Sequence, residues 1–242
     1  MPHTMAKRYA VVSCHVERPL DDEVWRRFAR LQARRPGGFA IAALMRPPDP
    51  ATVETERAEE WVERARLAAR QGPFGLHTHW TAPDHARPTG GDPAARVRAD
   101  IAWLRGHELQ PRVFCGGGWY MDPAVAAALA EAGLADCTAT RFPPAYLAAD
   151  APRLALQEPT LLDTVAGPLD ELPSTHSIGM LVRALGRPLP EQLVHVYFHD
   201  TDLLDRRRAL ALELALRLLR LRRRPGRLDE IAVPEHSSFP YR

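Results

Sequence analysis

Apolar residues along this chain follow two periods that take turns. Short runs rich in branched and aromatic side chains alternate with longer stretches in which apolar positions recur at helical spacing. The short runs are Tyr9–His15, Phe39–Leu44, Phe74–His79, Arg112–Cys115, Leu134–Thr138 and Leu193–His199. They read as strands buried on both faces, as in a parallel sheet. Arg153–Gln157 is a further strand candidate inside a proline-rich stretch, residues 141–173.

The helical stretches have punctuation at both ends. Asp21–Arg35 carries Val24, Trp25, Phe28 and Leu31 on one face and stops at Pro36-Gly37-Gly38. Thr52 starts a second helix that runs to Arg70 and halts at Gly72-Pro73. Pro93–His107 follows a long polar loop, Thr81–Asp92. Asp122 caps a short Ala-rich helix that ends at Ala132, with Gly133 closing it. His176–Leu185 and Leu203–Arg224 are the last two predicted helices. Strand–helix alternation of this kind predicts an α/β fold with right-handed crossovers. The strand count points to a distorted (β/α) barrel of about seven parallel strands. The chain has no internal repeat and no linker, so residues 1–242 are read as one barrel domain.

Composition narrows the function classes. The net charge is +2, which gives no support to general polyanion or nucleic-acid binding. Lys7 is the only lysine, and arginine supplies the remaining positive charge. The basic run Arg217–Arg227 lacks interleaved aromatics and reads as a solvated helix face with cations suited to the helix C-terminus. Cys14, Cys115 and Cys137 lie in apolar runs without CxxC spacing, as expected of free thiols in a reducing, cytoplasmic compartment. No apolar run is long enough to span a bilayer, and the N-terminus lacks a cleavage-site pattern.

The chemistry gathers where barrel enzymes keep it, at the C-terminal ends of strands. The first strand ends Ser13-Cys14-His15-Val16-Glu17, and alternation puts His15 and Glu17 on one face. The third ends His77-Thr78-His79, again with two imidazoles on one face. The last reads His195-Val196-Tyr197-Phe198-His199-Asp200, with His199 at its tip. Imidazoles and a carboxylate in this arrangement suit a divalent metal with an open position for water. His195 reads as a partly buried structural histidine, and His3, His85, His107 and His236 as solvent-facing. After the fourth strand comes Gly116-Gly117-Gly118-Trp119-Tyr120. Its amides suit an oxyanion, and Trp119 and Tyr120 suit stacking on a sugar ring. A tight turn with aromatics covering the barrel rim explains the same residues.

In the order of these motifs the chain resembles the polysaccharide deacetylases of the NodB-homology type, over most of its length. That family removes acetyl groups from N-acetylated sugars with a bound divalent metal in a distorted (β/α) barrel. Its first motif, T-F-D-D-G, supplies a base and a ligand. Here His15 stands where the base Asp is expected, and Glu17 is the motif's carboxylate. Its second motif, H-[ST]-x-x-H, is met by His77 and Thr78, with Thr81 in place of the second histidine and His79 nearby. Phe114–Tyr120 corresponds to R-x-P-Y-G, with Cys115 in place of Arg. Phe198-His199-Asp200 matches the final L-H-D.

The resemblance implies a divalent cofactor, zinc, held by His15, His77 and His79, with Glu17 as base and His199 as acid. His15 and Glu17 exchange roles in the reverse reading. The resemblance further implies that Asp200 or Asp202 orients His199, and that Trp119, Tyr120 and His176 meet an N-acetylated saccharide. Capping by Ser174 or Thr175 explains the His176 segment equally. The rival expectations are a carbohydrate-binding barrel that lost catalysis and another metal-dependent barrel amidohydrolase.

Overall fold

The computed structural model of the chain describes residues 8–82, 85–145, 147–148, 151, 153–233 and 238–241. His3 and His236 lie outside these described residues, as does the start of the N-terminal segment. In chain order the elements are β1 (Tyr9–Val16), α1 (Asp22–Arg34), β2 (Ile41–Met45), α2 (Ala58–Gln71), β3 (Phe74–Thr78) and α3 (Pro93–Gly106). Next come β4 (Val113–Gly116), α4 (Pro123–Ala132), β5 (Ala135–Asp136), β6 (Thr160–Thr164), β7 (Gly167–Glu171) and β8 (His176–Ser177). The chain continues with α5 (Ile178–Ala184), β9 (Leu193–His199), α6 (Arg206–Arg220), β10 (Arg224–Pro225) and β11 (Ser238–Pro240).

Local chemistry sets the helix starts. Carboxylates of Asp21, Asp92, Asp122 and Asp205 accept backbone N–H groups in the first turns of α1, α3, α4 and α6. Proline opens α3 and α4, where its missing N–H costs nothing, and Gly133 closes α4 in the left-handed conformation.

The strands form one sheet in the order β11-β6-β7-β5-β4-β3-β2-β1-β9-β8, with β10 beside β1. Every pairing is parallel except β6 with β7. Side chains of β1 alternate between two cores. Ala10, Val12, Cys14 and Val16 pack outward with Phe28 of α1, Trp61 of α2, Ile101 of α3 and Leu216 of α6. Val11 points inward with Leu44, Val113, Cys115, Cys137 and Leu172. The sheet curls enough that Trp119, after β4, touches Tyr197 of β9 with ring centroids 4.9 Å apart, although three strands separate β4 from β9.

One segment closes the curl. Leu172 N donates to Asp136 O and Ser174 N to Ala139 O, tying residues after β7 to the β5 edge. Thr175 N then donates to His195 O, and β8 pairs with β9. The run from Glu171 to Ser177 thus serves both edges, giving the distorted α/β barrel that the alternation predicts.

That closure explains where the structure departs from expectation. His176 and Ser177 are strand, and the helix starts at Ile178 with Ser177 as its cap. Ser174 and Thr175 do not cap it. Ser174 Oγ bonds Cys137 O at 3.4 Å, and Thr175 Oγ1 accepts from His195 N at 2.9 Å. Residues 153–157 form no strand; Ala155 makes only an isolated bridge to Thr140. The strands of the proline-rich stretch are instead β6 and β7, an antiparallel hairpin. Its turn lacks an Asn-Gly signal; Thr164 Oγ1 donates to Gly167 O at 2.6 Å, and Gly167 takes φ 120°. The last helix starts three residues later than predicted because Asp205 caps it after a 3-10 turn, Asp200–Leu204. The three cysteines are free and buried. Among the described residues, no helix is long and apolar enough to cross a membrane.

Asp136 and Glu171 face each other across the β5–β7 seam, both fully buried. Asp136 Oδ1 accepts from Thr138 N, and Glu171 Oε1 from Ala139 N. Asp136 Oδ2 and Glu171 Oε2 find a partner only when a proton lies between the two carboxyls. Burial pushes Asp136 up to about 6 and Glu171 well above the usual carboxylate range. The folded chain therefore keeps a proton that the unfolded chain releases near pH ~4. The pair's stabilising contribution is complete below that pH; the Asp136 part is lost as pH rises through about 6, and the proton between the carboxyls, held by Glu171, is lost only at higher pH. Urea unfolding should show stability declining between about pH 5 and pH 8, and Glu171→Gln should flatten that decline. Equal slopes in the two proteins would rule out a shared proton.

Candidate active site

The site is built from the residues that leave the barrel strands at one mouth. Glu17 follows β1, and two backbone contacts fix it there. Buried Arg46, paired with Glu54 at 2.6 Å, donates from Nε to Glu17 O at 3.0 Å. Asp200 Oδ2 accepts the next amide, Arg18 N, at 2.8 Å. Asp200, expected to orient His199, spends its other oxygen on Thr201 N at 2.8 Å. Burial, with the Glu17 charge adding to it, raises Asp200 to about 6.

So held, Glu17 points one oxygen at three imidazoles. Its Oε1 lies 3.3 Å from His79 Nε2, 3.4 Å from His77 Nε2 and 3.6 Å from His199 Nε2. His77 Nε2 and His79 Nε2 are 3.2 Å apart. His77 Nδ1 donates to Cys115 O at 2.8 Å, the neighbouring strand's carbonyl, so the neutral ring presents a lone pair at Nε2. A lone pair and a carboxylate face each other only with a proton or a cation between them. Without a metal the proton fills that role. Burial opposes charge on Glu17, but hydrogen bonds from His77 and His79 hold its carboxyl well below the usual range. Burial likewise lowers His77, yet bonding to Cys115 and Glu17 raises it to about 10.

This donor set passes a chemical test for a divalent cation. Glu17, His77 and His79 bring a carboxylate oxygen and two imidazole nitrogens together, and His77 has the backing hydrogen bond typical of a metal-ligating imidazole. His15 belongs to a different grouping, with His77 and Cys115. It is buried, stacks on His77 with centroids 4.5 Å apart, and stands edge-on to His199 at 5.0 Å. Its Nε2 is buried and has no hydrogen-bond partner among the described residues.

His199 stands at the rim, with its side chain 36% exposed. Asp202 Oδ2 accepts its backbone N–H at 3.0 Å and lies 3.9 Å from its Nδ1. Burial and then the neighbouring His15 lower His199 to about 4.

Beyond β4 the glycine turn fits tightly. A Cβ on Gly117 would meet Thr78 O at 2.6 Å and Ala86 O at 2.8 Å. Gly118 and Trp119 both take positive φ, 60° and 57°, which aims Trp119 into the barrel mouth. Arg87 donates to Gly118 O at 2.7 Å and lies over the Tyr120 ring.

His15, Glu17, His77, Trp119 and His199 line one cavity of about 510 Å³, with His85 and Arg87 on its edge. Tyr120 and His176 are not among its lining residues. Tyr120 donates its hydroxyl to Asp122 at 2.6 Å, and His176 Nδ1 bonds Thr175 Oγ1 at 2.8 Å. His195 is fully buried, bonded to Ser13 Oγ at 2.8 Å and Leu172 O at 3.2 Å, as a structural histidine. His85, read as solvent-facing, is exposed and borders the cavity, and Arg87 escaped the sequence reading because their loop has no periodicity to orient it. Cys115 had a legible signal, since it alternates with Val113 on the inward face.

No protein-family model matches the chain, and no curated protein matches it either. Among solved structures it is similar to a 4-alpha-glucanotransferase from Thermococcus litoralis, with TM-score 0.52 and 11% identity. That likeness covers 97% of this chain but 40% of the glucanotransferase, and it shows a shared fold. A family 4 carbohydrate esterase from Streptomyces lividans, solved with acetate, is similar over 95% of this chain and all of its own, with TM-score 0.48 and 11% identity.

Two overlapping donor sets make separable predictions for metal binding. In calorimetric zinc titrations, Glu17→Ala and His79→Ala should each weaken binding about tenfold or more, and Cys115→Ser should change it little. The opposite ranking would move the site to His15, His77 and Cys115.

Proposed function

We propose that this chain is a metal-dependent hydrolase that removes an N-acetyl group from a saccharide. The observation that carries the reading is the convergence of His77, His79 and His199 within 3.6 Å of one Glu17 carboxylate oxygen, at a cavity lined by Glu17, His77 and His199. The motif order shared with NodB-type deacetylases supports the same chemistry. Glu17, His77 and His79 would hold the cation, for which zinc suits the donor set. A zinc ion in such a site polarises a carbonyl and lowers the pKa of bound water toward neutrality.

The other steps fall to the chain's own residues. With Glu17 in the ligand set, His15 is the base. Its unpartnered Nε2 is free to take a proton from the attacking water, and it stands at the position where the resemblance puts a base. His199 protonates the leaving amine. Because burial keeps it neutral at rest, its proton must come from the reaction. Asp202 holds His199 in place through its backbone N–H. Since Tyr120 N already donates to Gly117 O, the amides of Gly118 and Trp119 support the oxyanion, and Trp119 offers a stacking face at the cavity wall.

Acetate release from N-acetylated saccharides tests this reading. Zinc-loaded protein should release acetate, chelation should abolish release, and His15→Ala and His199→Ala should each lower kcat by about two orders of magnitude. Zinc-loaded protein that binds an N-acetylated saccharide and never releases acetate would instead be a binding barrel.

A further inference from the structure

Of the arginine-rich run 217–227 only Arg217 and Arg220 lie on α6; the rest follows the helix, with Arg223 buried against Leu189 O and Glu191 O, so the run is not the single solvated helix face expected. The structure gives α6 itself a second apolar side. Leu212, Ala215, Leu216 and Leu219 form the side that packs into the core. Leu210, Leu214, Leu218 and Leu221 lie on the side facing away from it and are 58%, 50%, 51% and 81% exposed. At 1.5 Å per residue these leucines make a row about 16 Å long. Val182, on the adjoining α5, is also exposed and shares a groove with Arg207 and Ala211 of α6. A single exposed leucine needs no explanation, but a contiguous row marks a contact surface.

Charge selects what that surface meets. Arg206, Arg207, Arg217, Arg220 and Arg222 are all exposed and border the row. The helix has one acid, Glu213, already engaged by Arg34 and by Arg217 at 3.9 Å. Across the groove beside Leu210 stand more arginines, Arg26, Arg27 and Arg30 of α1. A second copy docking here would press arginine-rich borders against each other, and the acids nearby, Glu23, Asp202 and Glu213, are already paired with arginines of this chain. A layer of anionic headgroups over acyl chains matches both parts, phosphates for the guanidinium groups and hydrocarbon for the leucines.

We propose that the outer face of α6 docks this protein onto an anionic lipid surface, lying in the interface without crossing the bilayer. Leucine side chains enter the headgroup–acyl boundary, and the flanking arginines keep their heads at phosphate level. A second cavity runs from His199 past Val182 to Ala211 of α6, so the docked helix brings the catalytic rim near the lipid. Docking stands apart from the amide-hydrolase reading and would hold if that reading failed.

The test is flotation of the full chain with vesicles of phosphatidylcholine alone, and of equal parts phosphatidylcholine and phosphatidylglycerol. The protein should float with the anionic vesicles only, and raised salt should release it. Leu214→Gln and Leu218→Gln should each weaken binding about tenfold, with unchanged circular dichroism and melting temperature because both side chains are exposed. Arg217→Glu with Arg220→Glu should abolish it. Absence of flotation with anionic vesicles, or flotation indifferent to these substitutions, would overturn the proposal. So would a dimer in sedimentation analysis that the leucine substitutions dissociate in a chain that binds no vesicles, since the row would then belong to a second copy.

Discussion

A parallel sheet ends in two edges, and each edge leaves a row of backbone N–H and C=O groups without partners. In this protein the segment Glu171–Ser177 serves both. It bonds to β5 through Leu172 and Ser174, then to β9 through Thr175 and β8. Once closed, the sheet must point the C-terminal ends of β1, β3, β4 and β9 at one mouth. The site is a consequence of that closure, because Trp119 and Tyr197 approach only across the curled interior. The closing segment also carries Glu171, which brings a second buried carboxyl against Asp136. Closure thus places a charge problem in the seam, and a shared proton resolves it.

At the mouth, rigidity comes from polar groups that never touch the cavity. Arg46 fixes the Glu17 carbonyl, Asp200 fixes the amide beside it, Cys115 O fixes His77, and Asp202 fixes His199. Each acts through the backbone or through a ring's far nitrogen, so the cavity-facing atoms stay available for a ligand. Glu17 Oε1 and the histidine nitrogens are then held close enough that something positive must sit among them. A proton meets that need, and a divalent cation bound there would compete with it, coupling its affinity to pH.

Away from the mouth, α6 has two apolar sides, one facing the barrel and one facing outward. A helix needed only to cover a sheet would keep polar residues outside. The outward leucines therefore carry information that burial in this chain does not use.

The strand and helix alternation, the Asp122 cap with Gly133 closing its helix, and the shared face of His15 with Glu17 were legible along the chain. Each depends on neighbours a few residues apart, through side-chain period, backbone capping or glycine freedom. The short strands β8, β10 and β11 and the β6–β7 hairpin were not legible, because their pairing partners are remote and their own propensity is weak. The same distinction runs through the site. Sequence brought His15, Glu17, His77, His79 and His199 to strand ends. Only the tertiary register decided that Glu17 meets His77 and His79 while His15 turns toward Cys115, that Asp200 holds a backbone amide, and that His176 serves the barrel seam. Such choices depend on distances of a few ångströms between strands far apart in sequence, set by how the sheet closes.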